Sequence, residues 1–401
     1  TPGVGNDEFP VFHANYDAGW TDPTDPWDYA RAFVDGRKFL WRDKHTGENR
    51  CHFCSPNLGL RESRLIVGDR TLTLDDLFSG RRFSDTIGAC HSHYDNHARD
   101  YASEGREARV FVDVMGNWKT GMACDMPLGA LLPKGVEGLI MAGRCISMTH
   151  DAAQVLRMMK DMHRMGEAAG VAAAVAVADG VAPREIDVAK LQALLVTNGL
   201  LAEGEAAESA SEGCDAVSSV EELVAELPGE QPAPAMWKLY RLGAPAFPAL
   251  ESALDGDDVE VARWAALVLG AHEQECARET LTTMLVERDP AAPPGSFVQP
   301  RYVSALICLC EMGGDGVAEL AASVLEDESN FGGRWLHALK GLAMLGDASQ
   351  VPAIREFLTR IRADERYWSE RSDVKKFTGW KLELVAAETL MALGDAEGEE
   401  I

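Results

Sequence analysis

The chain has 401 residues, 46% of them hydrophobic and 25% charged, which suits two or three compact globular units rather than a fibrous or disordered chain. Its formal net charge of -26 and pI of about 4.7 argue against nucleic acid and anionic membrane surfaces as partners. No run reaches the roughly 18 consecutive apolar residues of a membrane span; the nearest, Ala168 to Ala178, is short and alanine-rich, and no secretory leader is evident.

The first forty or so residues are rich in Pro, Gly, Asp and Trp and read as loop until a helix from Asp25 to about Arg42. Asp25-Pro26 supplies its cap and first turn, and Tyr29, Phe33 and Phe39 its apolar positions. Ile66-Val67 and Leu72 suggest short strands around a turn at Gly68-Asp69. Arg109 to Val114, alternating and β-branched, is expected to be a strand. Val136 to Met141 is expected to be a buried strand opening into a tight turn at Gly143. One long helix is predicted from Asp151 to about Asp179, ended by Gly180 and Pro183, with alanines that allow close packing on a sheet. A shorter helix follows from Val188 to Leu195.

The nine cysteines are scattered and do not suggest a disulfide scaffold. Cys51-His52-Phe53-Cys54 has the spacing of a zinc or redox site, with His91 and His93 downstream. A closed zinc site needs a second matched pair, which is lacking, so ordinary reduced cysteines are the plainer reading. Between Lys190 and Lys238 there is no Lys or Arg, while Glu, Asp, Ser, Ala and Gly recur, which is linker composition. Beyond it, Val261 to Gly270, Ser304 to Gly313, Trp335 to Gly346 and Leu384 to Gly394 resemble one another as Ala/Leu helices closing on Gly. Their separations of about 33 to 49 residues fit helix-pair repeats of the HEAT type.

Three blocks carry a more specific resemblance. Leu60-Arg61-Glu62-Ser63-Arg64-Leu65-Ile66-Val67-Gly68-Asp69 with Leu72-Thr73 and Asp75-Asp76-Leu77 is the first. Leu132-Pro133-Lys134-Gly135-Val136 running to Met141-Ala142-Gly143-Arg144-Cys145-Ile146-Ser147 is the second. Val155-Leu156-Arg157-Met158-Met159 with Met165-Gly166-Glu167-Ala168-Ala169-Gly170 is the third. In this order they resemble the C-terminal part of FAD-dependent oxidoreductases, over roughly residues 25 to 200.

That resemblance implies an α/β partial FAD-binding flavoprotein fold over residues 1–200, while the composition and helix pattern beyond it give an acidic linker over 201–232 and an all-α HEAT-like helical-repeat domain over 233–401. It implies FAD as cofactor, held by Ala142, Gly143, Arg144, Asp151 and Arg157. Phosphates need backbone N–H donors without side-chain interference, and the helix beginning near Asp151 can aim its dipole at the flavin's pyrimidine edge. Arg61, Arg64 and His91 are candidate contacts to a small-molecule substrate, although the arginines serve equally as structural ion pairs, for example Arg64 with Asp69. His150 and His93 are candidate acid–base groups, and His97 lies in the same intervening segment; each could also be an ordinary surface histidine. No GxGxxG opens a βαβ unit in these residues, so an N-terminal FAD-binding segment or subunit is expected to complete the site. The repeats would dock a protein partner or cover the substrate entrance. The expected activity is hydride transfer between a small organic substrate and flavin; the sequence leaves the compartment open, with a soluble, cytoplasmic setting slightly favoured. A binding protein that uses the repeats and keeps a degenerate flavoprotein segment is the alternative.

Overall fold

A computed structural model describes residues 21–44, 57–62, 64–78, 81–95, 105–117, 122–202, 219–293, 299–327, 333–364 and 379–400. The Cys51–Cys54 motif, His97 and most of the acidic stretch, 203–218, lie outside the described residues. The chain divides into two units, Thr1–Ser63 with Asn96–Asp100, and Arg64–Asp95 with Tyr101–Ile401.

In the first unit, helix α1 (Pro26–Lys44) starts where its sequence announces it. The Asp25 carboxylate accepts from the Trp27 amide at 2.9 Å, satisfying an orphan donor of the first turn. Tyr29 and Phe33 meet with ring centroids 5.4 Å apart, and the Leu58 amide donates to the Tyr29 hydroxyl.

The second unit begins with α2 (Leu74–Phe78) and a two-stranded antiparallel ribbon of β1 (Thr86–Ser92) and β2 (Met122–Pro127). Cys90 faces Cys124 and Ala89 faces Asp125 across it. Between the strands come α3 (Arg106–Arg109) and a π-helical turn over Val110–Val114. Then follow α4 (His150–Leu156), α5 (Met159–Asp179) and α6 (Val188–Thr197), with α5 and α6 packed on β1 and α2 on β2. The Gln192 side-chain amide of α6 donates to the Ser84 and Thr86 carbonyls at 3.0 Å, fixing that contact.

Three sequence expectations are corrected here. Arg109–Val114 is helical, not a strand: Val110 to Val114 are buried on every side, so packing overrides β-branched propensity. Val136–Met141 is not a buried strand. No strand pairs with it among the described residues, and Val136 and Leu139 are 46% and 43% exposed. The long helix is broken at Arg157-Met158, where Met158 is extended and the Arg157 carbonyl accepts from the Arg144 side chain instead of continuing a helical ladder.

The remaining elements are helical: α7 (Val220–Glu226), α8 (Pro232–Leu242), α9 (Phe247–Leu254), α10 (Val259–Ala271), α11 (Arg278–Val286), α12 (Arg301–Met312), α13 (Val317–Leu325), α14 (Gly333–Leu345), α15 (Val351–Ala363), α16 (Gly379–Ala392) and α17 (Glu397–Glu400). The four Ala/Leu segments fall within α10, α12, α14 and α16, which pack in succession. Helix α11 packs on α10 and α12, and α13 on α12 and α14, so neighbouring pairs share one core. Gly313, Gly346 and Gly394 end their helices at positive φ. Gly270 instead lies inside α10, where a Cβ would come within 2.7 Å of Leu281 and 3.0 Å of Cys308.

The second unit joins the residues on both sides of the acidic stretch. The π-helical turn packs against α10 and α12, Phe111 meets the Trp237 ring edge-on at 4.9 Å, and the Ser304 hydroxyl donates to the Asp113 carbonyl. The Asn117 amide group donates to the Ala233 carbonyl at 3.0 Å. Arg106 donates to the Ala271 carbonyl and to Glu273 and Glu311. Arg106→Ala is therefore expected to cost about 1–2 kcal/mol in urea unfolding, below the full value of a charged hydrogen bond because the guanidinium is partly solvated. A change under a few tenths would show that this contact carries no stability.

Candidate functional site

The first two sequence blocks are knitted together by backbone hydrogen bonds. The Ile66 amide donates to Cys145, Asp69 to Leu132, Leu72 to Ser147, and in return Lys134 donates to Val67 and Thr149 to Leu72. The approach requires a glycine at position 68, where a Cβ would lie 2.8 Å from the Ser147 Cβ and 2.9 Å from the Gly129 oxygen. Asp69 does not pair with Arg64, whose side chain is exposed. It binds Arg184 at 2.6 Å, and Arg184 also holds Glu137 and the Pro133 carbonyl.

The exposed segment from Lys134 ends at Ala142-Gly143-Arg144. Gly143 has φ 89°, and no heavy atom lies within 4 Å of where its Cβ would be. The turn thus presents open backbone, which only glycine does at this φ without strain. Arg144, half-buried, donates through Nε to the Arg157 carbonyl at 3.1 Å. Arg157 is buried, 4% exposed, and donates to the Asp95 carbonyl at 2.6 Å, while the Asp95 amide donates to the Gln154 carbonyl. His93 Nε2 lies 3.6 Å from the Asp95 carboxylate, close enough for electrostatic orientation but beyond a good hydrogen bond. Arg144 and Arg157, from the second and third blocks, therefore meet at the α4–α5 junction, and Asp95 links them to His93 from the segment between the first two blocks.

His150 is the half-buried first residue of α4, and Thr149 caps that helix by accepting from the Ala152 amide at 3.4 Å. Asp151 accepts from the Gly105 amide at 2.9 Å, which ties the start of α4 to the chain entering α3. The break gives two helix starts in place of one, and the 21-residue α5 carries the stronger dipole. The remaining predicted residues are not gathered here. Arg61 belongs to the first unit, Arg64 is exposed on the second, and His91 is known only as a β1 position opposite Ala123. Sequence reasoning missed Asp95, Gln154 as an acceptor, and Asp161, buried at 1% exposure in the first turn of α5. Asp95 carries a faint signal in its spacing two residues after His93, but nothing in the sequence discloses that its backbone is the anchor.

The residues fit one wall of a dinucleotide site: a glycine turn with open space above it, an arginine behind it, and a long helix starting beside it. Among the described residues, no group of three or more His, Cys, Asp or Glu side chains could hold a metal, and no helix is long and apolar enough to cross a membrane. No curated protein matches the chain. The sequence model of the family described as FAD dependent oxidoreductase matches residues 11–195, so the segment that builds the Gly143 turn, the arginine bracket and α5 is similar to FAD-dependent oxidoreductases.

Proposed function

We propose that this chain is part of an FAD-dependent oxidoreductase that moves a hydride between a small organic substrate and flavin, with the Gly143 turn and the start of α5 as one wall of the flavin site. The observation that carries this reading is the open, left-handed glycine at the end of the Lys134–Ala142 segment, next to a helix start. FAD, when bound, supplies the hydride acceptor or donor. The chain's own part is positional. Ala142 and Gly143 would offer backbone at close range to the flavin, Arg144 is held in place by the Arg157 carbonyl, and the positive end of α5 would favour negative charge on a group held there. Asp151 orients α4 through Gly105. His150 and His93 are the candidate proton carriers, and Arg61, Arg64 and His91 the candidate substrate contacts.

The adenosine-binding half, in this reading, comes from a further segment or a partner subunit. Support comes from an exposed face of small and apolar side chains. On α5, Gly166, Gly170, Ala173, Ala174 and Val177 are exposed at helical spacing, and Val136 and Leu139 are exposed on the preceding segment. Such a face is suited to cover by a packed sheet. The HEAT-like repeats hold the π-helical turn in place and offer their remaining surface to a protein partner.

Arg157→Ala tests the bracket. The Asp95 carbonyl loses its donor and the α4–α5 break loses its buried support, so flavin occupancy is expected to fall, read as the 450 nm to 280 nm absorbance ratio of the purified gene product. Unchanged occupancy and kinetics would confine Arg157 to a structural role.

A further inference from the structure

We propose that Cys90 and Cys124 form a redox site, a buried dithiol that closes to a cross-strand disulfide when a peroxide supplies the oxidising equivalents. The two residues are register partners on adjacent antiparallel strands, so their side chains project from the same face of the ribbon. Directly opposed residues have Cα atoms about 4.5–5.5 Å apart, inside the roughly 4.4–6.8 Å span a disulfide accepts. Both are thiols in this structure, and both are buried, at 0% and 2% exposure.

Their surroundings set the rate. Burial, reinforced by the Asp161 carboxyl group beside it, pushes the Cys90 thiol up. Burial, with Asp125 next to it, does the same to Cys124. Little thiolate is present near neutral pH, so closure is slow there and speeds up as pH rises. Hydrogen peroxide is small enough to reach such a site. One thiol loses its proton and its sulfur attacks the peroxide; the O–O bond breaks, giving a sulfenic acid and water. The second sulfur then displaces the sulfenic hydroxyl, which leaves as water with the second thiol proton, so two thiols and one peroxide become one disulfide and two waters. The bond closes a loop that contains Gly105–Asn117, the segment gripped by α10 and α12. It also replaces the Cys90 thiol, beside Asp161 in the first turn of α5, with a disulfide sulfur. The site is therefore positioned to couple the oxidation state of the ribbon to the wall around Gly143. That coupling rests on the flavin reading, whereas the disulfide itself does not.

The test is peptide mapping of the folded full chain after hydrogen peroxide treatment, followed by unfolding, alkylation of the remaining thiols and digestion without reductant. The expected product is a linked peptide pair joining Cys90 to Cys124, two hydrogens lighter than the separate peptides and lost on reduction. Oxidation should also raise the unfolding temperature by on the order of 5 °C, and Cys124→Ala should abolish that rise. If Cys124→Ala does not fold, the wild-type map decides alone. Recovery of both cysteines alkylated under conditions that oxidise the exposed Cys276, or of Cys90 linked to any other cysteine, would overturn the proposal.

Discussion

Arg301→Met is expected to destabilise the protein by about 3 kcal/mol. Arg301 is 2% exposed and donates to Glu260 at 2.7 and 2.9 Å and to Asp289 at 2.9 Å, while its guanidinium stacks 4.5 Å from the Trp264 ring. It thereby joins α10, the start of α12 and the chain between α11 and α12. Removing one partner of a buried pair costs about 3–5 kcal/mol because the other charge is left desolvated. The lower end applies because Arg263 still reaches Asp289 at 2.9 Å. A second substitution, Asp289→Asn, should recover part of the loss, and urea titration of the single and double variants gives the coupling. A single-variant loss below about 1 kcal/mol would show that the pair is dispensable. The same contact has a pH signature. The Arg301 hydrogen bond holds the Glu260 carboxyl below its ordinary value. Its folded-state affinity for a proton is thus depressed, so its contribution is full above the unfolded carboxylate value and is lost as pH falls through the lowered folded one.

Gly143→Val is expected to lower flavin affinity roughly 10- to 100-fold, about 1.4–2.8 kcal/mol. Two effects act together. A β-branched residue is strained at φ 89°, and the new methyls occupy the space that is open beside the turn. Gly143→Ala separates them from misfolding. Its Cβ meets nothing within 4 Å, so the fold should persist with a strain penalty of about 1–2 kcal/mol while flavin occupancy still drops. Wild-type flavin occupancy in the Gly143→Val protein would remove the turn from the site.

The helices at the four Ala/Leu segments were legible because their information is local. Trp335 to Gly346 and its counterparts carry helical periodicity and, in three of four cases, a glycine that ends the helix at positive φ. The fourth, Gly270, looks the same in sequence but serves contact with Leu281 and Cys308, which no local pattern reveals. Arg109–Val114 and Val136–Met141 were misread for a shared reason. An apolar or β-branched run shows neither whether the segment is buried, as Val110–Val114 is and Val136–Leu139 is not, nor whether a neighbouring strand pairs with it, and both are tertiary facts. In the candidate site, Gly143, Arg144 and Arg157 stood out through their blocks. Asp95 stayed hidden because it acts through its main chain, and Cys90 and Cys124 because only the ribbon's register brings them together.

The most direct test of the flavin wall is hydrogen–deuterium exchange on the natural gene product containing this chain, with FAD bound and with FAD removed. The account predicts slower exchange on flavin binding in amides between Ala142 and Asp161, around the turn and the α4–α5 junction. Stoichiometric flavin with no change in those amides, or a gene product that retains no flavin, would contradict it.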